Sequence, residues 1–471
     1  MVVFEGLVRA PLPIFNEKVM AALGKGLGES GRLNPDGEKR ALSAVERFVA
    51  VSKALGAGVP EIVATAAVRD ARNGPDLMAE IERRTGAPAR LLRGRDEARL
   101  SALGVAAAIP DADGLMGDLG GGSLELMSIL KGQPGEGFTL PLGTLILAGK
   151  GRQRAGEAVD AALAPLGWMW KEVAGRTFYA VGGAWRSFAR LDMQRRGYPL
   201  HIVHNYRMPA AEVASLSQVL AGLSEPSVKG LKGIDGKRAE YLPLAAIVLG
   251  RVVAASKAKA VVFSANGLRE GVVQDRLTPR VRALDPLLEA VTRMAARAGR
   301  GVAAGEELRQ WLAPLFAADG ATDQRLITAA CYLADCAWTV HPDYRAAQSV
   351  SDVLYAPMVG IDHPGRAFVA LALYWRHDAD SGHDLAEIAK SLLDADSAAR
   401  ARRLGLGLRL ALTLSGGGAG ILSGARLSLT DGSVKMLLTG RTASLAGEKV
   451  ERRLADVAEA FGRKSQLAAE V

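Results

Sequence analysis

Two carboxylates, Asp118 and Glu125, flank three consecutive glycines and a serine in the stretch Met116 to Leu130, MGDLGGGSLELMSIL. Glycine inside a strand costs roughly 0.5–1 kcal/mol against alanine, so three together imply a place that side chains would obstruct. The residues after Ser123 alternate with the period of a strand. The segment therefore reads as strand, turn, strand, unlike the strand, loop and helix of dinucleotide or P-loop sites, and it lacks the P-loop lysine. A bare glycine hairpin offers its own backbone N–H groups to an anion. Asp118 before the turn and Glu125 after it would point into one cleft. There they would hold a hydrated magnesium ion beside a phosphate, because hard cations take carboxylate and water oxygens. The same glycines would also serve a bulged structural hairpin.

The elements that must carry this turn alternate between strand and helix. MVVFEGLVRA reads as a strand and GEKRALSAVERFVAVSKALGAG as a helix with a glycine stop. EIVATAAVRDARN runs from strand into a polar turn, MAEIERRTGAPARLL from helix into strand, and DEARLSALGVAAAI is a helix again. Such alternation predicts an α/β layer built on a sheet. After a hinge at residues 110–114 the pattern restarts with the glycine turn. A second glycine turn follows a strand at Gly182-Gly183, where the pair would also permit close packing on Trp185. From about Leu284 the chain becomes helical, rich in alanine, leucine and arginine, up to Leu414. SGGGAG then reads as a linker to a hairpin, ARLSLTDGSVKMLLTG, and a last amphipathic helix.

The composition favours anionic partners. The chain has 471 residues, too many for one core, and a net charge of +9 with a pI near 9.6. Only 5% of residues are aromatic, which supplies base-stacking platforms poorly, so phosphate is favoured over specific nucleic-acid recognition. Clusters such as Lys150-Arg152-Arg154, Arg276-Arg280-Arg282 and Arg400-Arg402-Arg403 read as solvated faces, or as contacts along a long polyanion. Cys331 and Cys336 fit no zinc spacing and read as small core residues in a reducing compartment. No apolar run is long enough to span a bilayer, Tyr241–Ala255 being broken by Arg251, and no secretory signal opens the chain. A cytoplasmic protein with no membrane partner is expected.

Further motifs join the glycine turn. GRDEARLSALGV (94–105) resembles the G-x-E-E-A-x-L stretch of the exopolyphosphatase/guanosine pentaphosphate phosphohydrolase family, and ATAAVRDARN (64–73) its T-x-x-x-R-x-A-x-N segment. GDLGGGSLEL is similar to its second phosphate loop, AVGGAWRSFARL to its G-G-x-x-R loop, and FSANGLREGVV (263–273) to the segment closing the second lobe. HPDYRAAQS and GIDHPGRAF extend the likeness into the helical part. The resemblance implies two actin-like (ribonuclease H-like) α/β lobes around a cleft, an α-helical HD-related domain and a small C-terminal α+β segment. On that basis residues 1–112 form a first, N-terminally incomplete lobe, 113–283 the second lobe, 284–414 the helical domain and 415–471 the C-terminal hairpin and helix.

Carried over residue by residue, the resemblance makes Glu97 the catalytic carboxylate that orients water. Glu125 shares that role and, with Asp118, serves magnesium. Arg69 neutralises transition-state charge, while Gly120, Gly121, Gly122, Ser123, Gly182 and Gly183 cradle phosphate. On local grounds alone, Asp96 and Glu97 would serve a helix dipole and Arg69 a surface ion pair.

The chain departs from the family in two places. Leu333-Ala334-Asp335 stands where an HD enzyme has L-H-D, so no second metal centre is expected, and none of the six histidines is assigned as a ligand. The family also opens with a strand and a D-x-G-S-N-S loop. This sequence begins within the strand that follows, leaving an exposed edge at VVFEGLV. The functions implied are exopolyphosphatase on inorganic polyphosphate, guanosine pentaphosphate 5′-phosphohydrolase, or a non-catalytic polyphosphate or alarmone binder, as a homodimer. A sugar kinase or chaperone ATPase would need adenosine and sugar segments that the sequence does not show.

Overall fold

A computed structural model describes residues 1–230, 240–299, 302–377 and 384–470. The chain divides into two compact units, Met1–Ala283 and Leu284–Val471.

The first unit is organised by a six-stranded mixed sheet in the order β7-β6-β5-β8-β10-β9. Strands β5 (Gly114–Leu119), β6 (Leu124–Leu130) and β7 (Gln133–Leu140) form an antiparallel meander. Strands β8 (Thr177–Val181) and β10 (Ala260–Phe263) continue the sheet in parallel with β5, and β9 (Tyr206–Pro209) closes it antiparallel to β10. Central strands covered on both faces should be apolar throughout, and LELMSI, FYAV and AVVF are all buried. The core gathers Phe178, Trp185, Phe188 and Phe263 against the long apolar helix Leu242–Ser256. Trp185 sits edge-on to Phe178 and donates its indole N–H to the Ala245 carbonyl at 2.9 Å.

Strands β1 (Val2–Phe4), β2 (Pro13–Asn16), β3 (Ile62–Ala64) and β4 (Ala89–Leu91) form two separate two-stranded sheets. β1 pairs antiparallel with β2, and β3 parallel with β4. MVVFEGLVRA is thus strand only at its start. Gly6, at φ +146°, breaks it, and Arg9 turns inward to donate to the Ala107 carbonyl.

Six helices position the site: α1 (Pro35–Ala54), α2 (Ala66–Arg69), α3 (Gly74–Thr85), α4 (Gly94–Ala108), α5 (Thr144–Ala148) and α6 (Gly183–Arg196). A seventh, α7 (Leu268–Asp275), crosses α4 at glycines. A Cβ on Gly104 would lie 2.0 Å from the Gly267 carbonyl oxygen, and one on Gly271 would lie 1.8 Å from that of Leu100. The backbones meet where any side chain would part them.

Among the described residues the second unit is built of helices and connecting turns between Pro286 and Ser415. A three-stranded sheet follows, β11 (Ala425–Leu429), β12 (Ser433–Thr439) and β13 (Lys464–Glu470), with the helix Glu448–Ala460 preceding β13. The hairpin and last helix are as expected. The final strand, parallel to β12, is an addition. Asp335, the remaining acid of the HD-like position, pairs with Arg376 at 2.7 Å. His383 lies outside the described residues. Cys331 and Cys336 are free thiols, both pushed up to about 12 by burial. Among the described residues no helix is long and apolar enough to cross a membrane.

Candidate active site

The glycine turn joins β5 to β6, and the register sets Asp118 directly opposite Glu125. Cross-strand partners project from the same face, so the hairpin presents the two carboxylates side by side. The turn closes with the Gly120 N–H donating to the Ser123 carbonyl at 3.0 Å. The carbonyls of Gly120 and Gly121 accept from the N–H groups of Thr144 and Leu145, which open α5. With its carbonyls spent on that helix start, the turn keeps N–H groups in hand. Among the described residues those of Gly121, Gly122 and Ser123 donate to no backbone acceptor. A Cβ on Gly121 would press the Leu145 side chain at 3.0 Å, and one on Gly122 would meet Ala66 at 3.3 Å.

Glu97 enters from the first turn of α4 and is 8% exposed. Arg69, the last residue of α2, donates from Nη1 to Glu97 Oε2 at 3.0 Å and to the Leu92 carbonyl at 3.2 Å, and its Nε approaches Asp70 at 3.4 Å. The sequence segments carrying Arg69 and Glu97, apart in the chain, therefore meet in one ion pair. Asn73 of the same arginine motif has a structural task, accepting from the Leu33 N–H and donating to Glu38.

Burial and mutual repulsion set the electrostatics. Glu125 is 2% exposed, and burial, reinforced by the charges of Glu97 and Asp118, pushes its carboxyl up to about 8. A hydrogen bond from Ser123 and the Arg69 charge oppose that shift. Burial also raises Glu97 against the pull of Arg69, and raises Asp118 against a bond from Ser101 and the charge of Arg186. Glu125 Oε1 is buried with no hydrogen-bond partner among the described residues.

Gly182, at φ +115°, ends β8 and opens α6 with Gly183. A Cβ there would lie 2.4 Å from the Leu119 carbonyl oxygen, so the second glycine turn lies against the end of β5. Three neighbours of Asp118 were not singled out from sequence. Ser101 Oγ donates to its Oδ2 at 2.7 Å, Arg186 attracts it, and Glu270 repels it. Arg186 stood in plain view as the arginine of the G-G-x-x-R loop. Ser101 and Glu270 carried no sequence signal beyond lying within matched segments.

An α/β unit that sets buried acids beside a glycine turn fits phosphoryl-transfer chemistry. Residues 2–279 match the Ppx/GppA phosphatase family and residues 287–468 match Exopolyphosphatase, C-terminal. The chain belongs to the Ppx/GppA phosphatase family and is a phosphoanhydride hydrolase by that membership. It is 28% identical over 283 residues to Exopolyphosphatase 1 of Mycobacterium tuberculosis (strain H37Rv), covering 57% of this chain and 81% of that protein. It is 30% identical over 284 residues to Retrograde regulation protein 2 of Saccharomyces cerevisiae, covering 54% and 48%. The crystal structure of an exopolyphosphatase from Cytophaga hutchinsonii superposes with a TM-score of 0.53 at 22% identity, over 58% of this chain and 92% of that one, a likeness of fold.

Proposed function

We propose that the chain is an exopolyphosphatase that hydrolyses the terminal phosphate of inorganic polyphosphate with the help of magnesium. The observation that carries this reading is the partly buried Glu97–Arg69 pair set among Glu125, Asp118 and a glycine turn in which the N–H groups of Gly121, Gly122 and Ser123 lack backbone acceptors among the described residues.

In this reading the N–H groups of Gly121, Gly122 and Ser123 bind oxygens of the terminal phosphoryl group, and Gly182 and Gly183 add the N-terminal end of α6. Glu97, kept from full neutralisation by Arg69, orients the attacking water and accepts its proton. Arg69 spends Nη1 and Nε on the protein, and its Nη2, which makes no hydrogen bond among the described residues, remains for developing phosphoryl charge. The donor set fits magnesium, which is usually held by one or two carboxylates plus substrate phosphate and water. Asp118 and the orphaned Oε1 of Glu125 supply those carboxylates, although among the described residues no three His, Cys, Asp or Glu side chains group as a complete metal site. Bound there, the ion would neutralise phosphate charge and favour an ionised Glu125.

We also read the first unit as two lobes parting at residues 112 and 113. The deciding experiment compares phosphate release from long-chain polyphosphate, guanosine pentaphosphate and ATP at matched phosphate concentrations. Highest kcat/KM on the polymer is expected. Preference for guanosine pentaphosphate would make the chain a 5′-phosphohydrolase, and no release from any of the three would leave a binder.

A further inference from the structure

Ser101 lies one turn beyond Glu97 on α4, in the middle of the helix and with no solvent exposure. Its neighbours Leu100, Ala102 and Leu103 are apolar and buried. A serine there is costly on two counts, since alanine is the better helix former and a buried hydroxyl demands a partner. The hydroxyl is spent on a carboxylate, donating to Asp118 Oδ2 at 2.7 Å. Gly267 closes on the same oxygen, for a Cβ on that residue would lie 3.6 Å from it. Arg186 attracts Asp118 and Glu270 repels it, while Ser101 holds it by a short directed bond.

We propose that Ser101 is a positioning residue that fixes the Asp118 carboxylate for the cation of the phosphate site and locks α4 to β5. The inference rests on the cation reading given above. One helix then carries both the water-orienting Glu97 and the peg that holds its partner strand, so a rotation or slide of α4 would displace both together. Groups that orient a metal-holding side chain usually account for about 10–100-fold in metal affinity.

The test is calorimetric titration of Mg²⁺ into the resting full-length protein, compared across wild type, Ser101→Ala, Ser101→Thr and Asp118→Ala, with a magnesium titration of turnover alongside. Ser101→Ala is expected to bind Mg²⁺ about tenfold more weakly or worse. Its magnesium requirement for half-maximal rate should rise equally, while kcat at saturating Mg²⁺ changes less. Metal-free melting should fall modestly, because the α4–β5 lock is lost and a buried Asp118 oxygen is left without its donor. Ser101→Thr keeps the hydroxyl and should restore affinity; if its extra methyl prevents folding, the alanine variant still decides against Asp118→Ala. Wild-type affinity in Ser101→Ala together with a loss in Asp118→Ala overturns the inference alone. Wild-type affinity in Asp118→Ala overturns the cation reading, and Ser101's role with it.

Discussion

Asp118 and Glu125 face each other as direct partners across the β5–β6 hairpin, one hydrogen-bonded to Ser101 and the other holding a buried, unpartnered oxygen. Two acids on adjacent strands repel, and burial amplifies the repulsion because water no longer screens it. The fold tolerates the pair by leaving Glu125 protonated near neutrality and by the charge of Arg69, which pairs with Glu97. In the proposed reading a cation would relieve the repulsion that remains, and an anion would take up the N–H groups of the glycine turn beside it. Both features fit the proposed magnesium-bound phosphate.

Glu97→Gln tests the proposed water-orienting carboxylate. The amide keeps the shape and can still meet Arg69, but cannot take a proton. Turnover should fall at least about 10²-fold, the usual contribution of such a group, with polyphosphate binding retained. A variant keeping a tenth of the wild-type kcat removes Glu97 from the role.

The pH dependence of stability follows from Glu125. Its folded pKa of about 8 lies above the ordinary 4.5, so the folded state holds a proton that the unfolded chain releases. The stabilisation is complete below the unfolded value and is lost as pH rises through about 8, and the upward shifts of Glu97 and Asp118 act in the same sense. Melting of the metal-free protein should therefore drop between about pH 5 and about pH 8 more steeply in wild type than in Glu125→Gln. Parallel curves would show that Glu125 ionises freely in the fold.

The two glycine turns should fail differently. Gly182 combines φ +115° with a carbonyl 2.4 Å from any Cβ, so Gly182→Ala forces strain and should destabilise by about 1–3 kcal/mol. A Cβ on Gly122 would meet the Ala66 methyl at 3.3 Å and the Ala67 nitrogen at 3.9 Å. Gly122→Ala should melt close to wild type yet bind phosphate more weakly, because the methyl enters the proposed cradle. Equal effects on Tm in both variants would make the first turn structural as well.

Much of this was legible in the chain. The two-residue alternation of SLELMSIL separates a hairpin from a P-loop, and five ordered motifs point Arg69, Glu97 and the glycine turn to one place. What stayed hidden depends on tertiary contact. Ser101 reads as filler in a helix until Asp118 is seen beside it. β13, KSQLAAE, is largely exposed and lacks an apolar alternation, so only its pairing with β12 makes it a strand. The run Arg400-Arg402-Arg403 reads as a wet face, yet Arg400 pairs with Asp319 and Asp323, and Arg402 and Arg403 lie over the rings of Trp375 and Phe461. Arginine's flat head and apolar stem suit such packing, which charge counting misses.

Crowding the α4–α7 crossing should move Glu97 without touching it. Gly271→Ala places a methyl 1.8 Å from the Leu100 carbonyl, and overpacking of this kind costs about 1–3 kcal/mol. Its melting temperature should fall, and kcat should fall by more than the lost folded fraction explains. An enzyme that is less stable but fully active per folded molecule would show that the crossing supports the fold alone.

The polymer reading has a salt signature. A polyanion held along its length by lysine and arginine contacts releases counterions, so affinity falls with a steep power of salt concentration. Guanosine pentaphosphate, with fewer phosphates engaged, should show a shallower slope. The net charge of +9 supports such contacts, but the Arg400–Arg403 run is consumed within its own unit, leaving exposed groups such as Lys150, Arg154 and Arg280 as candidates. The measurement is KM for polyphosphates of increasing length over a series of potassium chloride concentrations. The log–log slope should steepen with chain length until the contacts are filled, then level off. Charge reversal at Lys150 and Arg154 should flatten the long-chain slope and spare the shortest substrates. Slopes equal at every length would confine recognition to the terminal phosphate, and the polymer would then hold no advantage over the nucleotide.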